Sequence, residues 1–447
     1  MRPSLRLGGG AGFAGDRLDA PVHLAERGAL DYLVLECLAE RTIALAQLRR
    51  RRDPAGGYDV RLAARIETLL PILKSRGVKL VTNCGAANPL AAADAIVAIA
   101  RRLRIPVKVA AVTGDDVLDA LDLDQPTMEG GHPLSKYAPI ISANAYLGAE
   151  ALLPALASGA DIIVTGRVAD PSLFVAPLMH EYGWAPDDVD RLARGTAVGH
   201  LLECAGQLCG GYFADPGRKD IPDMARIGFP FADVDADGNA ILGKVAGTGG
   251  RITRATATEQ LLYEVTDPHG YLTPDVTADF SAVTLTETAQ DRVAVRGARG
   301  RARPSALKVS VGYLAGFVGE GEIGYAGTNA MARAQLAAQI LRERLAGRYS
   351  ELRIDLVGST SLHGRAFDSK ERPYEIRLRV AARAGTSEEA AIVGDEVEAL
   401  YTNGPAGGGG TRKYVTEQIG IVSTLLDRAR VSTKVTEREW GIHAEVV

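Results

Sequence analysis

Aromatic residues make up only 5% of this 447-residue chain, histidine occurs seven times and cysteine four times. Four cysteines (Cys37, Cys84, Cys204, Cys209) in so long a chain do not make a disulfide framework, and the Cys204 to Cys209 spacing is not a C-x-x-C metal knuckle. They read as buried thiols, and no metal site is expected. Long apolar runs are also missing. Nothing approaches the roughly 18 consecutive apolar residues that span a bilayer, and the N-terminus has no apolar signal core. A cytoplasmic protein with no membrane partner is therefore expected. Basic clusters are confined to Arg49–Arg52, four arginines that end a helix before Asp53-Pro54. Such a run reads as a solvated helix terminus, and the net charge is −4, so nucleic acid is excluded as an expected partner. Hydrophobic residues at 46% and charged residues at 24% are those of an ordinary globular protein. A single core rarely grows past roughly 250 to 300 residues, so two domains are expected.

Glycine is abundant, with 50 residues, and the run from Leu5 to Arg17 holds Gly8, Gly9, Gly10, Gly12 and Gly15. A short strand, Leu5–Leu7, leads into the glycines, and Asp16 and Arg17 lead out towards a helix. Glycines at such a place permit positive φ and a close ligand approach, and the N–H groups of the next helix start favour an anion. A plain strand-to-helix turn explains the same residues. Up to about residue 228, short apolar runs alternate with helical periodicity, the pattern of βα units around a largely parallel sheet. Strands are expected at Leu5–Leu7, Tyr32–Leu35, Lys79–Thr82, Val107–Val112 and Asp161–Thr165. Helices are expected at Arg61–Ser75, kinked by Pro71, and at Ala91–Arg102. From 229 to 447 the text is β-rich. Strands are expected at Val276–Thr286, Val293–Val295, Leu307–Tyr313, Ile354–Val357 and Tyr374–Val380, with helices at Thr328–Leu345 and Ser387–Tyr401. The expectation is an α/β N-terminal domain, 1–228, carrying the site, and an α+β C-terminal domain, 229–447, with a mixed or antiparallel sheet that closes over it.

In open α/β sheets ligands bind at the carboxyl ends of the strands. All five expected strands end in polar or glycine-rich text: Gly10 to Arg17, Glu36 to Thr42, Asn83 to Pro89, Thr113 to Asp116, and Gly166 to Asp170. Glu36 and Glu40, four apart, would share a helix face and raise each other's pKa towards a general acid or base, or Glu40 simply pairs with a neighbour. Asp170 is a further acid–base candidate. Arg17 and Arg167 offer guanidinium clamps for carboxylate or phosphate, or structural partners for Asp16 and Asp170. Asn83 and Asn88 offer amide donors to a carbonyl or enolate oxygen, and Asn88 before Pro89 equally starts a turn.

Gly10-x-Gly12-x-x-Gly15 with Glu36 at the next strand end also fits a dinucleotide fingerprint, which would make the protein an NAD(P)-dependent oxidoreductase. Against it, Asp16 directly behind the third glycine would repel a pyrophosphate. His200 and Glu203 stand one helical turn apart without completing a metal spacing, so His200 is either an acid–base group or a packing histidine. Gly408 and Gly409 sit in a four-glycine run after Gly404-Pro405, where a ligand tail or the other domain would lie against the backbone.

Gly10–Arg17, Glu36-Cys37-Leu38-Ala39-Glu40, Asn83–Pro89, Thr165–Asp170 and Gly404–Gly410 together resemble the acyclic terpene utilisation (AtuA) family over nearly the whole chain. The resemblance implies a setting among enzymes of acyclic terpene and branched acyl-CoA breakdown. It supplies no settled reaction and no catalytic residues. Some relatives carry a further small C-terminal domain, so a separate small subunit or a smaller substrate is implied. Both lines lead to an enzyme acting on a small carboxylic acid or its acyl-CoA thioester by hydration, elimination or thioester hydrolysis. No cofactor is required beyond CoA as part of the substrate, and a homo-oligomer is the usual expectation. Cys37 or Cys84 as nucleophile is a further option, and a non-catalytic scaffold subunit is the competing class.

Overall fold

Short runs with no polar interruption, such as Tyr-Leu-Val-Leu at 32–35 and Ile-Ile-Val-Thr at 162–165, suit strands buried on both faces, which is where parallel sheets place them. In the computed structural model, which describes residues 3–364 and 373–441, both runs lie in a ten-stranded mixed sheet. Its parallel part is built from β1 (Leu5–Ala11), β2 (Tyr32–Leu35), β3 (Lys79–Thr82), β4 (Val107–Thr113) and, after β5 (Ile140–Ala145), β6 (Ile162–Thr165). The parallel order is β1-β2-β3-β6-β4. The five expected strands are therefore all present, and their carboxyl ends share one rim.

β7 (Pro230–Val234) and β8 (Ala240–Lys244) extend the sheet beside β1 as an antiparallel hairpin. β9 (Tyr271–Leu272), β10 (Thr277–Asp279) and, later, β13 (Arg299–Arg301) form a small separate sheet. β11 (Thr284–Ala289) and β12 (Arg292–Arg296) complete one edge of the large sheet. The strand expected over Val276–Thr286 is thus two strands in two sheets, parted by a turn in which Asp279 accepts the Ser281 N–H.

Helices pack on both faces. α1 (Asp19–Arg27), α2 (Glu40–Arg52), α3 (Leu62–Arg76) and α4 (Pro89–Leu103) follow the first strands, and α3 runs on through Pro71. α5 (Leu153–Ala157) and α6 (Ser172–Tyr182) flank β6, and α7 (Val189–Glu203) and α8 (Arg254–Leu262) follow. One core gathers α6 and α7 with Leu7, Val34, Ile163 and Val234, and a second gathers α1, α3 and α4 with Leu33, Leu35 and Leu80.

The glycines of the first stretch do a different job from the one expected. Gly8, Gly9 and Gly10 belong to β1, and none of Gly8 to Gly15 has positive φ. They are packing glycines: a Cβ on Gly9 would stand 2.4 Å from the Leu202 carbonyl oxygen of α7, and one on Gly12 would stand 2.8 Å from the Cys204 backbone.

Two compact units emerge, the first comprising residues 1–136, 140–312 and 421–447, the second 137–139 and 313–420. This division differs from 1–228 and 229–447, because β7, β8, β11 and β12 complete the sheet that β1 begins. The final strand also returns to it, β18 (Lys434–Trp440) pairing antiparallel with β4. In the second unit an antiparallel sheet, order β15-β16-β14-β17, comprises β14 (Ala306–Ala326), β15 (Leu352–Val357), β16 (Glu375–Ala384) and β17 (Gly409–Asp427), with residues 306–312 and 421–427 of the two long strands counted in the first unit. α9 (Ala330–Arg344) and α10 (Ser387–Asn403) share its core with Ile323, Leu378 and Val380. No helix among the described residues is long and apolar enough to cross a membrane.

Candidate active site

The chain leaves each parallel strand at the same rim, and a cavity of about 530 Å³ opens there in the first unit. Gly12, Asp16 and Arg17 line it after β1, Glu36 and Glu40 after β2, and Arg167 and Asp170 after β6. Glu203 at the end of α7 and Glu264 after α8 face it as well, with Leu38, Tyr212, Ile227, Phe229 and Tyr263 supplying apolar wall. Three of the five rim segments therefore line it. The β3 and β4 segments support it from behind, Asn83 bonding Glu36 and Asp115 accepting the Arg167 N–H, while Asn88 and Asp115 border a different cavity of about 600 Å³ beside Arg50 and Asp116. Gly408 and Gly409 belong to the second unit, Gly409 opening β17.

Glu36 is the acid with the most distinctive surroundings. It sits one residue past β2 and is buried, which pushes its carboxyl up to about 7 against the pull of the Arg167 guanidinium. The Leu38 N–H and the Asn83 side-chain amide donate to its Oε1 at 2.8 and 2.9 Å and restrain the rise, while the charge of Glu203 adds to it. Glu40 behaves oppositely. It is the first residue of α2, so it shares no helix with Glu36, and its Oε1 receives the Tyr146 hydroxyl and, at 3.2 Å, the Lys308 ammonium. Burial works to raise Glu40, but Tyr146, its own helix N-terminus, Lys308 and Arg167 bring it down to about 2. The expected pair of mutually raised carboxylates is therefore one acid held near neutrality and one fixed anion.

Glu203 is the other raised acid on this cavity. Burial raises it, and His200 opposes the rise through a 2.8 Å contact from Nδ1 to Glu203 Oε1. His200 is sealed between the rings of Tyr271 and Phe280, with centroids at 5.2 and 5.9 Å. Burial disfavours its imidazolium, yet the adjacent carboxylate holds its pKa above the ordinary value. Among the described residues neither His200 Nε2 nor Glu203 Oε2 has a hydrogen-bond partner. His200 is thus a group behind an acid, out of the cavity itself.

The expected clamps are spoken for. Arg17 binds Asp19 and the Ala225 carbonyl. Arg167, 1% exposed, gives its guanidinium to the Leu38 and Val168 carbonyls and to Asp170, and stacks 4.4 Å over the Tyr146 ring. It is the buried cation that steadies the acids around it. Asn83 accepts the Cys37 N–H at 2.7 Å while donating to Glu36, so it positions the acid. Asn88 caps α4 and holds the Pro54 and Gly56 carbonyls, the turn reading. Asp16 closes its own loop by accepting from the Gly12 and Arg17 N–H groups, at 2.9 and 2.7 Å. A built-in carboxylate already fills the anion position at this loop. With Gly10 inside β1 and Glu36 buried against Asn83, the geometry does not support the dinucleotide fingerprint.

Tyr146 and Lys308 were not legible as site residues, because they reach Glu40 across more than a hundred residues of sequence and follow no motif. Glu264 was equally silent. A paired buried group also lies beside the site: Cys37, Cys84 and Asp59, whose donor atoms are all within 4.8 Å of one another.

Fold and site define a mixed α/β protein with an acid-rich strand-end cavity. The chain matches the acyclic terpene utilisation family protein AtuA over residues 5–437 and belongs to that family. Membership gives it a catabolic role in acyclic terpene utilisation. Comparison with curated proteins and with solved structures found no match.

Proposed function

We propose that the protein is an enzyme that adds water to, or eliminates it from, the acyl group of a small branched acid presented as its CoA thioester. The observation that carries this reading is that two buried carboxyls, Glu36 and Glu203, both raised by burial, line one cavity. When two acids titrate together, one holds its proton while the other is ionised near neutral pH. In the hydration direction the ionised member takes a proton from water, the oxygen adds to the β-carbon of a conjugated acyl group, and the protonated member delivers a proton to the α-carbon. A neutral thioester suits this cavity better than a free carboxylate. Asp16, Glu36, Glu40, Asp170, Glu203 and Glu264 outnumber Arg17 and Arg167 on its wall, and both arginines are engaged. Ile227, Phe229, Leu38 and Tyr263 supply the apolar surface for a branched chain.

The test is turnover of branched 2-enoyl-CoA and 3-hydroxyacyl-CoA thioesters by the purified protein, with products identified by mass spectrometry. Interconversion by one water is expected. Glu36→Gln and Glu203→Gln should each lower it by about 10²–10⁴-fold. Release of free CoA would make the reaction a thioester hydrolysis, and full turnover in both variants would remove the two acids from the chemistry.

A further inference from the structure

Cys37 and Cys84 stand just beyond neighbouring strands. β2 and β3 are parallel neighbours that end with Leu35 beside Thr82, and Cys37 and Cys84 each follow two residues later. They lie within 4.8 Å of each other and of an Asp59 oxygen, both residues being at most 2% exposed.

A hydrogen bond from the Cys37 thiol, and with it the Arg65 guanidinium, lowers the Cys84 pKa against burial, while burial pushes the Cys37 thiol up, so the thiolate of the pair is Cys84. The Arg65 guanidinium, itself buried, contacts the Cys84 sulfur at 3.6 Å and Asp59 at 2.7 Å. A metal ion would have to share this space with that fixed positive charge, so three donors that resemble a metal set are already neutralised. A thiolate beside a guanidinium is a nucleophile. Access comes from a cavity of about 150 Å³ whose wall includes Cys37, Ala14, Thr42, Asp59 and Asn83.

We propose that Cys37 and Cys84 form a reversible dithiol–disulfide site that reacts with small hydroperoxides. One sulfur attacks a peroxide oxygen and becomes a sulfenic acid, with water or an alcohol as the leaving product. The second sulfur then attacks the first, an S–S bond forms, and the sulfenic oxygen leaves as water. The two thiols supply two electrons and two protons, and the peroxide O–O bond is reduced. The site is separate from the acid pair, yet Cys37 follows Glu36 and Cys84 follows Asn83, so the new bond ties together the two segments whose hydrogen bond holds Glu36.

The experiment uses the full-length protein titrated with hydrogen peroxide, denatured, alkylated and analysed by mass spectrometry. The expected result is a mass lower by two hydrogens, alkylation falling from the four cysteines to Cys204 and Cys209 alone, and a peptide linking Cys37 to Cys84. Dithiothreitol should reverse all three. Retention of four alkylatable thiols, oxygen adducts without a link, or a link through Cys204 or Cys209 overturns the proposal. Cys37→Ser and Cys84→Ser should each abolish the link and leave alkylation of Cys204 and Cys209 unchanged; the wild-type readout stands whether or not these variants fold.

Discussion

Glu36 and Glu40, four residues apart, end in opposite protonation states because their neighbours come from different parts of the chain. Asn83 favours the ionised form of Glu36 by donating to it. Asn83→Ala should therefore raise the pKa of Glu36, and the inflection near 7 in the pH profile of activity should move to higher pH. A loss of activity with an unmoved inflection would mean that Asn83 acts only through its bond to the Cys37 N–H. Tyr146→Phe removes a hydrogen bond to a charged acceptor, of the kind worth about 1.5–3 kcal/mol. Urea unfolding at neutral pH should register that loss, and the Glu40 carboxyl, followed by NMR, should titrate above its present value of about 2. At this scale the sequence singled out Glu36, Glu40 and His200 with Glu203. It could not say which would be ionised, since Tyr146, Lys308 and Arg167 approach only through the fold.

The strand-end rim was legible at the scale of elements because apolar runs, helix stops and polar strand ends are local. The role of the glycines was not. Alternation past Leu7 is hidden when residues have no side chain, so β1 looked like a loop from Gly8 to Gly10, and only the approach of α7 shows why glycine is needed there. Gly9→Ala would drive a methyl into the Leu202 carbonyl and should cost about 1–3 kcal/mol, measurable as a lower urea midpoint. Gly409→Ala meets nothing within 4 Å and has no positive φ, so its midpoint should stay within about 0.5 kcal/mol of wild type. The β7–β8 hairpin and β18 were missed for a related reason. The segment before Gly243 is crowded with proline and aspartate, and nothing local tells an edge strand which sheet it will join.

For the whole molecule, buried carboxyls set the pH response. Glu36 is raised to about 7 and Asp115 to about 6, both chiefly by burial. A folded-state pKa above the unfolded value means that the folded protein holds the extra proton, so this contribution is fully present below about pH 4.5 and is lost as pH rises through 6 to 7. Glu40 has the opposite sign: its contribution is present above about 4.5 and is lost as pH falls towards 2. Thermal unfolding should therefore show a lower midpoint at pH 8 than at pH 6. Glu36→Gln, always neutral, should shrink that difference; an unchanged difference would mean that Glu36 does not retain its proton in the fold. The sequence by itself determined the family, the alternating βα grammar, and the rim on which Glu36, Glu40, Arg167 and Asp170 would appear, because all of these are written in residue type and short-range spacing. Tertiary structure alone decided that Arg167 is a buried counter-charge, that Asp16 fills its own loop, that Cys37 meets Cys84, and that Glu203 lines the same cavity as Glu36. Each of these depends on desolvation and on contacts between segments far apart in the chain, and neither quantity exists until the sheet has closed around them.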